Sequence, residues 1–157
     1  MSITVVNKNV LLSDTGGQVM MLWEKPYMEA SIDNLEPTGD VLEIGFGLGF
    51  SATQIMKHNP KSYTIIECDP TIIKKIETWR ENYPHIPIHI IEGRWQDKLS
   101  NLGIFDEIYF DDYPLDIHDT SSDKDKIISQ NRLRFFLAQC IQNHMRVGSK
   151  ISWYMGG

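Results

Sequence analysis

The 157-residue chain has no apolar run approaching the roughly 20 residues that a membrane-spanning helix needs. Its first residues, Met1 to Asn9, lack the charged-then-apolar pattern of a secretory signal. Cysteine is scarce: Cys68 and Cys140 lie far apart and form no CxxC pair, which argues against a disulfide framework or a structural zinc site. Basic charge is also short. Fifteen Lys and Arg face 21 Asp and Glu, a net charge of -6, so the basic surface that phosphate contacts require is missing and nucleic acid is not expected as a partner. There is no internal repeat and no low-complexity tract. These absences leave one cytoplasmic domain over residues 1–157, without a membrane segment and without a metal site.

What is present is an alternation of strands and helices. Val41-Leu42-Glu43-Ile44 reads as a buried strand, Gly45 to Gly49 as a tight turn, and the residues to about His58 as a helix. Ser62 to Glu67 is a second strand. Pro70 suits the first turn of the next helix, which carries Ile72, Ile73, Ile76 and Trp79 at helical spacing. Ile86 to Ile91 and Phe105 to Phe110 are further strands. A helix from about Lys126 to Met145 is expected to bury Ile127, Ile128, Leu133, Phe136, Leu137 and Ile141, and Lys150 to Met155 is a fifth strand. The alternation predicts an α/β fold with a parallel sheet. Ahead of it, Val19 to Ser31 reads as a helix within an N-terminal segment, 1–38, and 39–157 forms the core. Asp116 to Lys126 reads as a polar loop or helix start.

In open α/β sheets, ligands bind beyond the carboxyl ends of the strands. The turn after the first strand, Glu43-x-Gly45-x-Gly47-x-Gly49, permits close approach of a ligand to the backbone. About twenty residues on, Glu67 ends the second strand, where an acid can accept ribose hydroxyls of a nicotinamide or a methionine-adenosine cofactor. Taken singly, a glycine turn is often only a connection and a strand-end Glu only a solvated terminus. In register on consecutive units they point to a nucleoside-type cofactor. Gly93-Arg94-Trp95-Gln96 follows the third strand and could hold adenine, with a core aromatic as the equal alternative for Trp95. Asp111-Asp112 end the fourth strand at the ligand-facing edge, where a strand stop and turn is the plainer reading. Glu24 is by default a surface residue.

The glycine spacing, with the acid before it, resembles motif I of class I methyltransferases. The wider sequence resembles the guanidinoacetate N-methyltransferase family, which reads close to V-M-x-x-W-E-T-P-Y-M, V-L-E-V-G-F-G-M, I-I-E-C, G-x-W-x-D and Y-D-T-Y-P-L. Here the matching stretches are Val19 to Met28, Val41 to Leu48, Ile65 to Cys68, Gly93 to Asp97 and Phe110 to Leu115, in that order. Glu92-Gly93-Arg94-Trp95-Gln96 is similar to the related type IV protein arginine methyltransferases, while Tyr113-Pro114-Leu115 looks more like the guanidinoacetate enzymes. Lys25 stands where the family has Thr, placing a cation near the expected acceptor. The stretch from Asp116 to Lys126 makes a longer crossover.

The resemblance implies a Rossmann-like sheet with helices on both faces, ending at Met155-Gly156-Gly157 before the usual final strand pair. It implies S-adenosyl-L-methionine as cofactor, S-adenosyl-L-homocysteine as product, and a small guanidino compound as methyl acceptor. Another amine, a protein arginine, or a non-catalytic remnant that only binds the cofactor are the alternatives. Glu24 and Asp111 match the carboxylates that hold the guanidinium, with Asp111 as proton acceptor. Glu67 matches the ribose acid. Met20, Met28, Gly45, Phe46, Gly47, Leu48, Gly49, Phe50, Ser51, Cys68, Asp69, Trp95 and Gln96 match cofactor-pocket positions. Two carboxylates can fix a guanidinium by paired hydrogen bonds, and one can take its proton as the new bond forms. A sheet ending at strand five exposes an edge that invites pairing with a second copy, so a symmetric homodimer is expected. The competing arrangement folds Met1 to Leu12 back as an extra strand.

Overall fold

The computed structural model describes residues 3–7, 10–13, 18–21, 24–111 and 123–154, with side chains over 24–111 and 131–154. Three short strands come first: β1 (Ile3–Asn7), β2 (Val10–Ser13) and β3 (Gln18–Met21). Then follow α1 (Lys25–Leu35), β4 (Asp40–Ile44), α2 (Phe50–Lys57), β5 (Ser62–Glu67), α3 (Pro70–Trp79), β6 (Ile88–Glu92) and α4 (Trp95–Lys98). The last elements are β7 (Glu107–Phe110), α5 (Asp123–Asn143) and β8 (Lys150–Trp153).

Five strands form a sheet in the order β6-β5-β4-β7-β8, and every pairing is parallel. The chain lays β5 and β6 on one side of β4, then returns to lay β7 and β8 on the other. The carboxyl ends of β4, β5 and β7 therefore meet where the strand order reverses, at Gly45, Glu67 and Asp111. This is the Rossmann-like α/β architecture expected from the sequence.

Strand alternation divides the core in two. Val41, Tyr63, Ile65 and Tyr109 pack with Met28 and Ile32 of α1, Ile55 of α2, and Ile72 and Ile76 of α3. Leu42, Ile44, Ile66, Ile108 and Phe110 pack with Trp95, Leu99, Phe136 and Cys140 on the opposite face. Covering both faces explains why β4 and β5 read as near-continuous apolar runs. The α3 start is fixed by Asp69, whose Oδ1 accepts from the N–H of Thr71 at 2.8 Å and of Ile72 at 3.2 Å, with Pro70 in the first turn.

The structure corrects several expectations. The segment read as one helix over Val19 to Ser31 is strand β3 followed by α1, which begins only at Lys25. The apolar run Val19 to Trp23 has no period that separates strand from helix, whereas Pro26 suits a first helical turn. The β-prone N-terminus does form strands, but β1, β2 and β3 make an antiparallel sheet of their own rather than an added strand of the parallel sheet. Ile141, expected in the core, is 63% exposed: α5 turns Phe136 and Cys140 inward and leaves Ile141 off that face. Ile127 and Ile128, and the stretch 112–122, lie outside the described side chains. No helix among the described residues is long and apolar enough to cross a membrane. Neither Cys68 nor Cys140 is in a disulfide.

Candidate active site

The loop leaving β4 is shaped by glycines and anchored by one ring. Gly45, Gly47 and Gly49 all have positive φ. At Gly49, the N-cap of α2, φ is 83°, and a Cβ would lie 2.8 Å from Cζ of Phe46, so only glycine fits. The Phe46 ring is buried below the loop, edge-on to Trp79 at 5.2 Å. Leu48 and Phe50 are partly buried against the same core, so this loop is half packing and half open rim.

Glu43 lies beneath the loop, fully buried. Its two carboxylate oxygens accept from the hydroxyls of Ser51 and Tyr63, tying the first turn of α2 to β4 and β5. Burial pushes the Glu43 carboxyl up to about 8; the two hydroxyls pull it down and the Glu67 charge adds to the rise.

Glu67 sits at the carboxyl end of β5, buried, in a ring of backbone donors. Oε1 accepts from Phe46 N–H at 3.0 Å, and Oε2 from Cys68 N–H at 2.9 Å and Asp69 N–H at 3.1 Å. Burial raises its carboxyl above the ordinary value, and these donors oppose the rise. A carboxylate offers about four acceptor positions. Three are occupied by these N–H groups, one on Oε1 and two on Oε2. Beside Glu67 opens a shallow cleft lined by Ile44, Gly45, Ile66, Cys68, Gly93, Arg94, Trp95, Gln96 and Arg132. Gly93 (φ 147°) closes the cleft by donating to Glu67 O at 2.9 Å. Trp95 is buried against Phe136 (5.2 Å) and Phe110 (6.1 Å), as the core reading expects, and it also lines the cleft.

A second cluster forms past the ends of β7 and β8. Asp111 N–H donates to Ile44 O at 2.9 Å and Tyr154 N–H to Phe110 O at 3.0 Å, so both residues continue the sheet ladder by one step. Glu24 stands at the N-cap position of α1 with helical dihedrals (φ -76°, ψ -19°) and does not cap its own helix. Its carboxylate is buried and is hydrogen-bonded by the Tyr154 hydroxyl. Burial raises the Glu24 carboxyl; the Tyr154 hydrogen bond partly offsets this. The Tyr154 phenol is pushed up by burial, then by the charges of Glu24 and Asp111. Tyr109, on β7, is driven far above the ordinary phenol range by burial and by Asp111 and Glu43. An anionic cluster thus gathers Glu24, Asp111 and two tyrosines. Lys25, expected to place a cation here, instead has its ammonium 3.8 Å from Glu29 Oε1 and 5.7 Å from the Phe50 ring centroid.

Most of the sequence-derived site residues fall into three places, while Gly47, Leu48 and Phe50 lie along the loop after β4 and at the start of α2. Gly45, Glu67, Cys68, Trp95 and Gln96 line the cleft. Glu24 and Asp111 both lie near enough to Tyr154 for their charges to raise its phenol. Met28, Phe46, Gly49, Ser51 and Asp69 are buried supports, with Met28 on the core-facing side of α1. Met20 lies on β3, and its side chain, like Asp112 and the stretch from Tyr113 to Leu115, is outside what the structure describes. Sequence reasoning missed Tyr154 and Arg132. Each comes from an element late in the chain, and neither carries a local motif. Among the described residues no cluster of three or more His, Cys, Asp or Glu could hold a metal.

The family model for guanidinoacetate N-methyltransferase matches residues 5–152. The protein arginine N-methyltransferase 2 of Candida glabrata is 39% identical over 107 residues, covering 60% of this chain and 25% of that protein. That of Gibberella zeae is 29% identical over 163 residues, covering 92% of this chain and 33% of its own length. The chain thus spans about a quarter to a third of these relatives. Among solved structures, spermidine synthase from Thermotoga maritima superposes with a TM-score of 0.52 at 20% identity, over 69% of this chain and 41% of that one, a likeness of fold. With nearly the whole chain matched by one family model, it belongs to the guanidinoacetate N-methyltransferase family.

Proposed function

We propose that the chain carries an S-adenosylmethionine-dependent N-methyltransferase site whose acceptor is a small guanidino compound of the guanidinoacetate type. The observation that carries this reading is the placement of two carboxylates, Glu24 and Asp111, near Tyr154 at the ligand-facing end of the sheet on which Glu67 opens its cleft. The cleft suits a nucleoside: Glu67 lines it, Gly45 and Gly93 leave the backbone approachable, and Trp95 offers an aromatic wall. Bound S-adenosylmethionine supplies a sulfonium methyl open to in-line displacement. The protein's own work is then positioning, which provides most of the acceleration in such a step. Glu24 and Asp111 hold the guanidinium by charge-assisted hydrogen bonds. Asp111 takes the proton that the attacking nitrogen must lose. Burial of Glu24 excludes water from its side and strengthens its interaction with the guanidinium.

A second reading, methylation of a protein arginine, is favoured by the names of the relatives quoted above, and it uses the same two carboxylates on the same chemical group. Transfer of labelled methyl from S-adenosylmethionine to guanidinoacetate, small amines and an arginine-rich protein separates the readings. Label in guanidinoacetate is the expected result. Label only in the protein favours the second reading, and cofactor binding with no transfer to any acceptor would reduce the chain to a binding module. A homodimer joined through the β8 edge, which among the described residues pairs only with β7, remains part of this proposal.

A further inference from the structure

We propose that Tyr154 is a positioning residue of the acceptor site, its hydroxyl holding the Glu24 carboxylate in place for a cationic N–H donor. The inference rests on the guanidino reading above. It goes beyond the family comparison, whose match ends at residue 152.

Three observations carry it. First, Tyr154 is fixed at its backbone. Strand β8 ends at Trp153, yet the Tyr154 N–H still donates to Phe110 O at 3.0 Å, so the residue leaves the sheet in a set direction. Its ring then packs, half-buried, on the core that α1 also covers. Second, among the described residues no other side-chain hydrogen bond holds Glu24. It occupies the N-cap of α1 without capping it, and the Tyr154 hydroxyl is the side-chain partner that lowers its pKa. Third, β8 and α1 are joined again further along, where Lys150 Nζ lies 3.9 Å from Glu36 Oε2, so the helix and strand that bear the pair are held together.

The chemistry of the partner matters. A phenol is a neutral donor. It orders a carboxylate without cancelling its charge, whereas an Arg or Lys at the same place would neutralise Glu24 and repel a cationic acceptor. The other titratable groups around the pair reinforce this balance. They are Asp111 past the end of β7, Tyr109 on β7 and Tyr27 on α1, all anionic or neutral. Lys25, the nearest cation in sequence, is engaged with Glu29. The phenol opposes the rise that burial imposes on the Glu24 carboxyl, and it orients the carboxylate towards a guanidinium.

The test is calorimetric titration of guanidinoacetate into the protein saturated with S-adenosylhomocysteine, from pH 5 to 9, for wild type, Tyr154→Phe and Glu24→Gln. Tyr154→Phe removes one oxygen and keeps the ring, and unchanged S-adenosylhomocysteine affinity certifies the fold. The expected result is roughly five- to tenfold weaker guanidinoacetate binding in Tyr154→Phe. The acid limb of its binding profile should also move to higher pH, because Glu24 loses the donor that lowers its pKa. Glu24→Gln should weaken binding at least as much and abolish that limb. If Glu24→Gln binds like wild type, or wild type does not bind guanidinoacetate, the guanidino reading falls and this inference with it. If Glu24→Gln behaves as expected while Tyr154→Phe keeps the wild-type affinity and limb, the reading stands and the positioning role of Tyr154 is overturned.

Discussion

Glu67 and Glu24 are both buried glutamates at the ligand-facing end of the sheet, and burial raises the carboxyl of each, yet they are held by different means. Glu67 is gripped by three backbone N–H groups from the loops next to it. Glu24 is met by one phenol from the far end of the chain. A backbone cradle depends on loop geometry, which glycines and strand ends specify locally. A side-chain contact depends on which residue happens to arrive there. On the proposed assignment, the cofactor end therefore depends on loop geometry and the acceptor end on the identity of the side chains around it.

The comparison is tested most severely at Asp111. Asp111→Asn removes a charge and a proton acceptor but leaves the backbone bond to Ile44 O in place. Methyl transfer to guanidinoacetate should fall by about 10²–10⁴-fold, the usual worth of a general base. Affinity for S-adenosylhomocysteine, read by calorimetry, should stay within about twofold. A parallel loss of cofactor affinity would show that the two ends are one coupled site.

At the other end, Glu67→Ala strips the acceptor from three buried or partly buried N–H groups. Two effects should appear together: roughly ten- to a hundredfold weaker S-adenosylhomocysteine binding, and a loss of about 1–3 kcal/mol of stability in chemical denaturation. A stability loss with unchanged cofactor affinity would make Glu67 a loop brace only.

How much of this was readable from the sequence follows the same division. The β4 and β5 strands, the glycine turn and the start of α3 were legible because their causes are local: an apolar run, positive φ, an Asp-Pro cap. Glu67 could be placed for the same reason. Tyr154 could not, because its role exists only once β8 lies beside β7 and α1 packs against it. Arg132 reaches the cleft wall from α5 in the same non-local way. The α1 boundary was misread because Val19 to Trp23 is apolar at every position, which fits a strand as well as a helix. Glu43 was visible as the acid before the glycines, but not its burial under them, which needs Tyr63 from the neighbouring strand.

Glu43 supplies a subtler probe, since it supports the loop common to both ends. Its folded carboxyl titrates at about 8, against an ordinary value of 4.5. Between these values the folded chain holds a proton that the unfolded chain has released. Stability from this group is therefore fully present below about pH 4.5 and is lost as pH rises to about 8, by up to ~1.4 kcal/mol per pH unit. Glu43→Gln carries no such proton and should flatten that decline. Denaturation midpoints at pH 5, 6.5 and 8 for both proteins check it; parallel profiles would mean that Ser51 and Tyr63 keep Glu43 ionised throughout.

The smallest effect is expected at Lys25, where sequence and structure point in opposite directions. Read along the chain, a lysine next to Glu24 should repel a cationic acceptor. In the fold its ammonium is directed to Glu29, one helical turn on, and over the Phe50 ring. The side chain is about half exposed, so water and salt screen its field within roughly 10 Å. Its pair with Glu29 is of the partly exposed i,i+4 kind, worth a few tenths of a kcal/mol. Lys25→Thr should therefore change guanidinoacetate affinity by less than about threefold and leave S-adenosylhomocysteine binding untouched. A tenfold gain in acceptor affinity, disappearing at 0.5 M salt, would show that the Lys25 charge does reach the carboxylate pair. The acceptor end would then be tuned by long-range charge as well as by the side chains that touch Glu24.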